Sequence, residues 1–146
     1  MTIRFATSAE ISGILRLLYQ VGDVHHQIRP DIFRDGALKY DETALKALLL
    51  EENKPIFIGE DGGRVLGYCF CQMKTYYRDS VICDHTTCYI DDLCVHENCR
   101  GKHVGTTLYE AVCRYAKSRY RGKFRAAVVK TLDPQKQNFL KSPFLI

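Results

Sequence analysis

The chain has 146 residues, of which 46% are hydrophobic and 26% are charged, and its net charge at pH 7 is +4. This length is enough for one domain with a substantial core and too short for two. No apolar run is long enough to span a bilayer, and the first residues lack the apolar core of a signal peptide, so we expect a cytoplasmic protein with no membrane segment.

The cysteines point to the same compartment. There are seven of them, and an odd number of thiols without a regular framework indicates reduced side chains rather than disulfides. Their spacing contains no CxxC pair, so we expect no metal site. We predict that most of them are small residues of the core.

The first part of the chain predicts one strand and two helices. Residues 3–6 have the character of a strand, and Thr7 with Glu10 forms a capping-box pattern that starts a helix. This helix is expected to end near Val21 and Gly22, and residues 23–35 are expected to form a connector. Asp41 is predicted to cap a second helix that extends to about residue 52. The predicted inward-facing positions are Ile11, Ile14, Leu15, Leu18, Leu45, Leu48 and Leu49.

The second part predicts three strands, a helix and a last strand. A strand at 55–60 and another at 65–75 are joined by Asp61-Gly62-Gly63-Arg64, where glycine accepts the positive φ of a hairpin turn. A longer polar turn at 76–86 leads to a strand at 87–95, a helix that begins near Val104 and a strand at 125–130. The order β-α-α-β-β-β-α-β is that of an α/β fold.

The loop between the strand at 87–95 and the following helix is the most informative stretch. Such a loop presents unpaired backbone N–H groups at the positive end of a helix dipole, which is a site for an anion and most naturally for a phosphate. It lacks the Gly-x-Gly-x-x-Gly of a dinucleotide site. Gly101-Lys102 is followed by His103 and not by Ser or Thr, which excludes a P-loop.

This loop resembles motif A of the GNAT family of acetyl-CoA-dependent N-acetyltransferases. The motif is Arg or Gln, two residues, Gly, one residue, then Gly or Ala; Arg100 and Gly105 fit its ends, and His103 takes the place of the first Gly. The strand at 89–96 is also typical of the family. The resemblance implies that residues 1–146 form a single GNAT-like domain, with a mixed central sheet and helices on both of its faces.

The resemblance stops after Lys130. Family members usually continue with a helix that carries Asn-x-x-Ala-x-x-Phe-Tyr and with further strands, whereas Asn138-Phe139 is only a weak echo here. We therefore expect a shortened C-terminal part. An uncovered sheet edge invites a partner, so a second copy of the chain is one candidate that completes the fold as a homodimer. The other interpretation is an impaired family member.

The resemblance also implies where acetyl-CoA binds as co-substrate. The backbone of the loop would hold its pyrophosphate. The resemblance further implies that the fourth strand is bulged and splays away from the fifth, so that the backbone of Leu93 and Val95 would pair with the pantetheine arm in the gap. A backbone N–H near Leu93 or Cys94 would polarise the thioester carbonyl. The loop positions assigned to the cofactor are Arg100, Gly101, Lys102, His103, Val104, Gly105 and Thr106.

Asp91 and Asp92 are the most informative side chains. Adjacent residues of a strand are expected to point to opposite faces, and a buried carboxylate is costly unless it has a partner or a function. The resemblance places Asp91 at the acceptor site, as general base or as anchor for a cationic amine. The alternative is that both carboxylates cap turns or pair with Arg and Lys. Other candidates by chemistry alone are His25, His26, His85, His96, Tyr76, Tyr77 and Tyr109.

Three functions are compatible with these observations. The first is transfer of acetyl from acetyl-CoA directly to a primary amine of a small molecule or peptide, so Cys94 is disfavoured as an acyl-carrying nucleophile. The second is a non-catalytic acyl-CoA-binding relative, to which His103 and the short tail point. Binding of nucleic acid by the basic stretch 114–125 ranks last, because no reading motif accompanies it and a solvated helix end explains it.

Overall fold

The computed structural model describes residues 1–119 and the strand Ala127–Lys130. The order of its elements confirms the predicted order. In chain order they are β1 (Thr2–Phe5), α1 (Ile11–Ile28), α2 (Glu42–Leu49), β2 (Ile56–Asp61), β3 (Arg64–Tyr76), β4 (His85–Val95), α3 (Val104–Ser118) and β5 (Ala127–Lys130). The expected shortening of the C-terminal part concerns residues 131–146, which lie outside the described residues.

The five strands form one mixed sheet in the order β1-β2-β3-β4-β5. The first four are antiparallel, and β5 pairs in parallel with the first half of β4, where Thr86 lies opposite Ala127 and Tyr89 opposite Lys130. Helix α3 covers one face, whereas α1 and α2 cover the other. The predicted fold class, a mixed central sheet with helices on both faces, is confirmed. None of the helices in the described part of the chain combines the length and the apolar character that a bilayer crossing demands.

The capping box before α1 is present as predicted. The Thr7 N–H and hydroxyl both donate to a Glu10 carboxylate oxygen at 2.8 Å, and the Thr7 hydroxyl accepts from the Ala9 N–H. Arg4 donates to the same carboxylate at 2.9 Å. This hydrogen bond from Arg4 is the main reason that the pKa of Glu10 falls to about 2.

Helix α1 is longer than predicted. It continues past Val21 and Gly22 to Ile28, so the connector to α2 comprises residues 29–41. A Cβ on Gly22 would collide with the Ala37 carbonyl oxygen, so this glycine lets the connector pack against the helix and does not end the helix. The His25 ring packs on Phe33 of the connector, with ring centroids 4.9 Å apart. The last two turns of α1 are therefore held by tertiary contacts that the sequence pattern does not reveal.

The turn and the second cap agree with the sequence. Gly62 and Gly63 have φ of 55° and 78°, the left-handed values that a two-residue hairpin requires. The Asp41 carboxylate accepts from the Ala44 N–H at 2.8 Å, although α2 ends at Leu49 and not near residue 52. The prediction that most cysteines are core residues is confirmed. The buried ones are Cys69, Cys71, Cys88, Cys94 and Cys113.

Candidate functional site

A β-bulge in β4 determines which side chains meet at the site. In the pairing of β3 with β4, Phe70 lies opposite Asp92 and Cys71 lies opposite Ile90, so Asp91 is the extra residue. The bulge shifts the alternation of the strand by one residue. As a result Asp91 and Asp92 both face the side of α1 and α2, where they line the same cleft. The prediction that they point to opposite faces is wrong, because it used the alternation of a regular strand and did not apply the bulge that the resemblance implies.

The Asp91 carboxylate has two partners from the segment just before α2. Its Oδ2 accepts from the Tyr40 hydroxyl at 2.5 Å and lies 3.1 Å from the Lys39 Nζ, which also donates to the Asp91 carbonyl oxygen at 3.3 Å. Burial, reinforced by this carboxylate, raises the pKa of Tyr40, so the hydroxyl stays protonated and remains a donor. Asp91 therefore pairs with a lysine, as one interpretation of the sequence proposed, and its side chain is still 31% exposed.

Asp92 is tied to the core. Its carboxylate accepts at 2.7 Å from the hydroxyl of Tyr68, a side chain with no exposed surface. Burial is the largest cause that raises the pKa of Tyr68, and the charge of Asp92 adds to it. Tyr68 in turn packs edge-on against Phe70 at 4.8 Å. The two neighbouring carboxylates thus have partners in different parts of the fold. Asp91 contacts Lys39 and Tyr40 of the connector, whereas Asp92 accepts from Tyr68 of the sheet.

A cleft of about 420 Å³ lies between α1, the connector and β4. Asp91 and Asp92 belong to its lining, and most of the other side chains are apolar. Its lining comprises Leu18, Val21, Gly22, His25, Phe33, Arg34, Ala37, Leu38, Lys39, Asp91 and Asp92. A volume of this size suits a small molecule or the end of a peptide. Asp91 also borders a second cavity, of about 140 Å³, together with Tyr40 and Phe70.

Among the predicted histidines, His25 lines the cleft and the others are engaged elsewhere. His26 Nδ1 lies 2.7 Å from the Phe33 carbonyl oxygen, and His96 Nδ1 accepts from the Asn98 N–H. His85 stacks on Tyr76 at the far end of the β3–β4 hairpin. The remaining predicted tyrosines lie away from the cleft: Tyr77 is exposed, and Tyr109 packs with the α3 core.

The predicted anion loop connects β4 to α3. Arg100, Gly101, Lys102 and His103 are exposed. His103 has a φ of 62°, so it adopts the left-handed backbone that glycine would adopt at this position of the motif. The helical hydrogen bonds of α3 begin at Thr107, whose N–H donates to the His103 carbonyl oxygen at 2.9 Å. The N–H groups of Val104, Gly105 and Thr106 precede it and have no intrahelical acceptor.

The backbone N–H groups at the end of β4 alternate in direction. The His96 N–H bonds to the Leu66 carbonyl oxygen at 2.7 Å, and N–H groups alternate along a strand. The N–H of Cys94 is therefore directed toward β3, and the N–H groups of Leu93 and Val95 are directed away from it. Within the described residues β5 pairs with β4 only as far as Tyr89. Of the two N–H groups considered for the thioester, this alternation favours Leu93 over Cys94.

The start of α3 is fitted closely against these residues. A Cβ on Gly105 would lie 3.4 Å from a methyl group of Val95 and 3.8 Å from one of Leu93. The side chains of Leu93 and Val95 belong to the α3 core, whereas Cys94 is buried on the opposite face. Sequence reasoning missed Lys39, Tyr40 and Tyr68, because no spacing links them to β4.

Comparisons with known proteins identify the family and support the fold. The model of the Acetyltransferase (GNAT) family matches residues 22–142. A mutant of the BH1408 protein from Bacillus halodurans is 26% identical, with 97% of this chain and 90% of that chain covered and a TM-score of 0.80. No curated protein sequence matches.

Two solved structures of lower identity share the fold. An acetyltransferase from Vibrio fischeri is 17% identical over 91% of this chain and 98% of that chain, with a TM-score of 0.70. An aminoglycoside acetyltransferase from an uncultured soil metagenomic sample, solved with sisomicin, is 16% identical over 95% of this chain and 82% of that chain, with a TM-score of 0.65. With a family model that matches most of its length, the chain belongs to the GNAT acetyltransferase family.

Proposed function

We propose that this protein is an N-acetyltransferase that moves the acetyl group of acetyl-CoA directly to a primary amine of a small molecule or peptide. The observation that carries the proposal is the bulge in β4. Within three residues it brings a carboxylate to a cleft, at Asp91, and a backbone N–H directed away from β3, at Leu93. The free thiols suit a reducing compartment, which supports the cytoplasm as its location.

The residues of the loop fit acetyl-CoA. The N–H groups of Val104, Gly105 and Thr106 would hold its pyrophosphate at the start of α3, and the exposed Arg100 and Lys102 would add positive charge. His103 fits as well, because its backbone already has the left-handed geometry and its side chain is exposed. The backbone of Leu93 and Val95 would pair with the pantetheine arm. When bound, acetyl-CoA supplies an activated acyl group.

The chain's own groups supply the remaining chemistry. Asp91 takes a proton from the ammonium of the acceptor, directly or through a water molecule. Tyr40 and Lys39 fix the orientation of that carboxylate through one of its oxygens. The Leu93 N–H donates to the carbonyl oxygen of the acyl group as it becomes negative. Apolar side chains of the cleft, such as Leu18 and Val21, receive the body of the amine.

One observation favours a second candidate, a non-catalytic acyl-CoA-binding protein. The carboxylate proposed as the base already has a cation, Lys39, at 3.1 Å. An acceptor ammonium has to share or displace that cation. Binding of acetyl-CoA without turnover of any amine would distinguish this candidate from the enzyme.

The first experiment is a calorimetric titration with acetyl-CoA of the wild type and of two Thr106 variants. In Thr106→Glu a carboxylate in the first turn of α3 favours the helix but repels a phosphate, so the affinity should fall at least about tenfold without loss of thermal stability. Thr106→Gln is the matched control and should bind as the wild type does. Wild-type binding that Thr106→Glu leaves intact would contradict the location of the pyrophosphate, and no binding by the wild type would contradict the function.

The same samples are then assayed for turnover with a panel of primary amines. Release of the CoA thiol and the mass of the acetylated product are measured together. Acetylated product identifies the enzyme, whereas tight binding without product identifies the non-catalytic relative.

A further inference from the structure

Lys39 places an amine of the chain itself beside the proposed base. It lies in the connector, two residues before the Asp41 cap of α2. Its Nζ contacts Asp91 twice, at 3.1 Å from the carboxylate and 3.3 Å from the carbonyl oxygen of the bulged residue. It also belongs to the lining of the cleft. This ammonium occupies the position that an acceptor amine has to take for Asp91 to remove its proton.

We propose that Lys39 is an internal acetyl acceptor, so that the protein modifies itself at this lysine. The inference rests on the proposed function, because it uses the same carboxylate and the same thioester. Asp91 takes a proton from the Lys39 ammonium, and the nitrogen forms a bond to the acetyl carbonyl carbon. The carbon–sulfur bond breaks, and the sulfur leaves as a thiolate that takes up the second proton the nitrogen loses as the amide forms, while Asp91 releases the first proton to solvent. The products are N-acetyl-lysine and CoA.

The reach of Lys39 is sufficient for this reaction. Residues 91 and 93 of β4 are separated by about 7 Å along the strand. A lysine side chain is a flexible four-carbon stem, and that of Lys39 is 44% exposed. The amine can therefore turn from Asp91 toward the Leu93 N–H without a change in the core.

Lys46 offers a matched comparison. It lies on α2, seven residues further along the chain, and its Nζ pairs with Glu42 at 2.9 Å. Its side chain is 62% exposed, and it is absent from the lining of the cleft. Both lysines thus have a carboxylate partner, but only the partner of Lys39 lies beside the proposed thioester position.

The modification also has an electrical consequence. Acetylation removes the positive charge of lysine. The Asp91 carboxylate would then lose the ion pair that now occupies it, and its charge would be left for a cationic acceptor in the cleft.

The test is a time course of acetylation with acetyl-CoA and no added amine, read by peptide mass spectrometry. Lys39 should be acetylated at least about tenfold faster than Lys46, since a positioned base accelerates proton transfer by about that much or more. Asp91→Asn should reduce the rate at Lys39 to that at Lys46, with circular dichroism as the check that this variant is folded. Lys39→Arg should abolish the modified peptide.

A parallel reaction with acetic anhydride measures how fast each lysine is acetylated chemically, without acetyl-CoA. The two lysines should then react at similar rates. A preference of the anhydride for Lys39 as strong as that of acetyl-CoA would overturn the inference, because the selectivity would belong to the lysine alone. Equal rates with acetyl-CoA, or a rate at Lys39 that Asp91→Asn leaves unchanged, would show that the ion pair is only structural.

Small amines in a separate assay distinguish the two proposals. If they are acetylated and Lys39 is not, only the internal acceptor is refuted. If neither is acetylated, the proposed function is refuted with it.

Discussion

The two faces of the sheet bury different chemistry. Against α3 the core is aliphatic and rich in thiols, with Leu108 and Val112 over Cys69, Cys71 and Cys88. Hydrogen bonds with the neighbouring thiols, together with burial, raise the pKa of Cys71 and keep it neutral. Against α1 and α2 the core consists mostly of isoleucine and leucine, and it ends in a hydrogen-bonded cluster that we call the carboxylate cluster: Tyr40, Tyr68, Asp91 and Asp92.

Strand β4 contributes to both faces, and the bulge at Asp91 determines which of its side chains lie on each face. Before the bulge Ile90 packs under α3, and after it Leu93 and Val95 do so as well. The one residue gained between them leaves two consecutive carboxylates on the opposite side. We infer that the α3 face mainly provides stability and holds the start of α3, whereas the face of the carboxylate cluster provides the chemistry. Substitutions on the two faces should separate these effects.

The largest effect is expected from Asp91→Asn. The amide can still accept from Tyr40 but cannot take a proton from an ammonium, so kcat/KM for acetyl transfer should fall by about 10²–10⁴-fold. Stability should change little, because the side chain is 31% exposed. Asp84→Asn, at an exposed carboxylate that accepts from the Arg78 N–H, is the control and should keep full activity. An Asp91→Asn enzyme with full activity across pH would contradict both proposed roles of this carboxylate.

On the α3 face, Leu108→Ala should affect stability far more than chemistry. Leu108 has no exposed surface, and truncation of such a leucine lowers the free energy of unfolding by about 2–5 kcal/mol. Urea denaturation measures the loss. Leu50→Ala, at a side chain that is 88% exposed, should stay within about 0.5 kcal/mol of the wild type. Comparable losses in the two variants would show that the α3 face is not the tightly packed one.

A smaller loss of stability is expected from Tyr68→Phe, on the other face. The variant keeps the ring against Phe70 but removes the hydroxyl that donates to Asp92, which should lower the free energy of unfolding by about 1–3 kcal/mol. The measurement is again urea denaturation. The exposed Tyr19 supplies the reference, since Tyr19→Phe removes a hydroxyl without a buried partner. If both variants are equally stable, the hydrogen bond to Asp92 contributes nothing net.

The smallest effect is expected at the start of α1. The pKa of Glu10 is lowered to about 2 in the folded protein from an ordinary value of 4.5, mainly by Arg4. A depressed pKa of this kind stabilises the fold above pH 4.5, and the contribution is lost as the pH falls toward 2. The decrease in Tm between about pH 5 and about pH 3 should therefore be smaller in Glu10→Gln than in the wild type. Glu42→Gln, at a surface pair with Lys46, should follow the wild-type profile.

Local chemistry explains what could be predicted from the sequence. The Thr7–Glu10 capping box, the Gly62-Gly63 turn and the Asp41 cap depend on neighbours in the chain, and all three are present.

The predictions that were wrong concern features that depend on contacts between distant parts of the chain. Gly22 was interpreted as the end of a helix because the sequence does not show that Ala37 approaches it. Asp91 and Asp92 were assigned to opposite faces because the alternation of a regular strand was applied across the bulge. Lys39 and Tyr40 lie about fifty residues from Asp91 along the chain, so only the fold brings them to the carboxylate cluster.

The positions of the cysteines allow local unfolding of the protein to be followed by the reactivity of its thiols. Cys83 is exposed and should react with an alkylating reagent at once, whereas Cys88 beneath α3 and Cys94 beneath α1 should wait until the structure around them opens. These two thiols lie on opposite sides of the same strand. The order in which they are alkylated therefore shows whether α3 or the layer of α1 and α2 separates from the sheet first. Wild-type protein is sufficient for this measurement, without a label or a substitution.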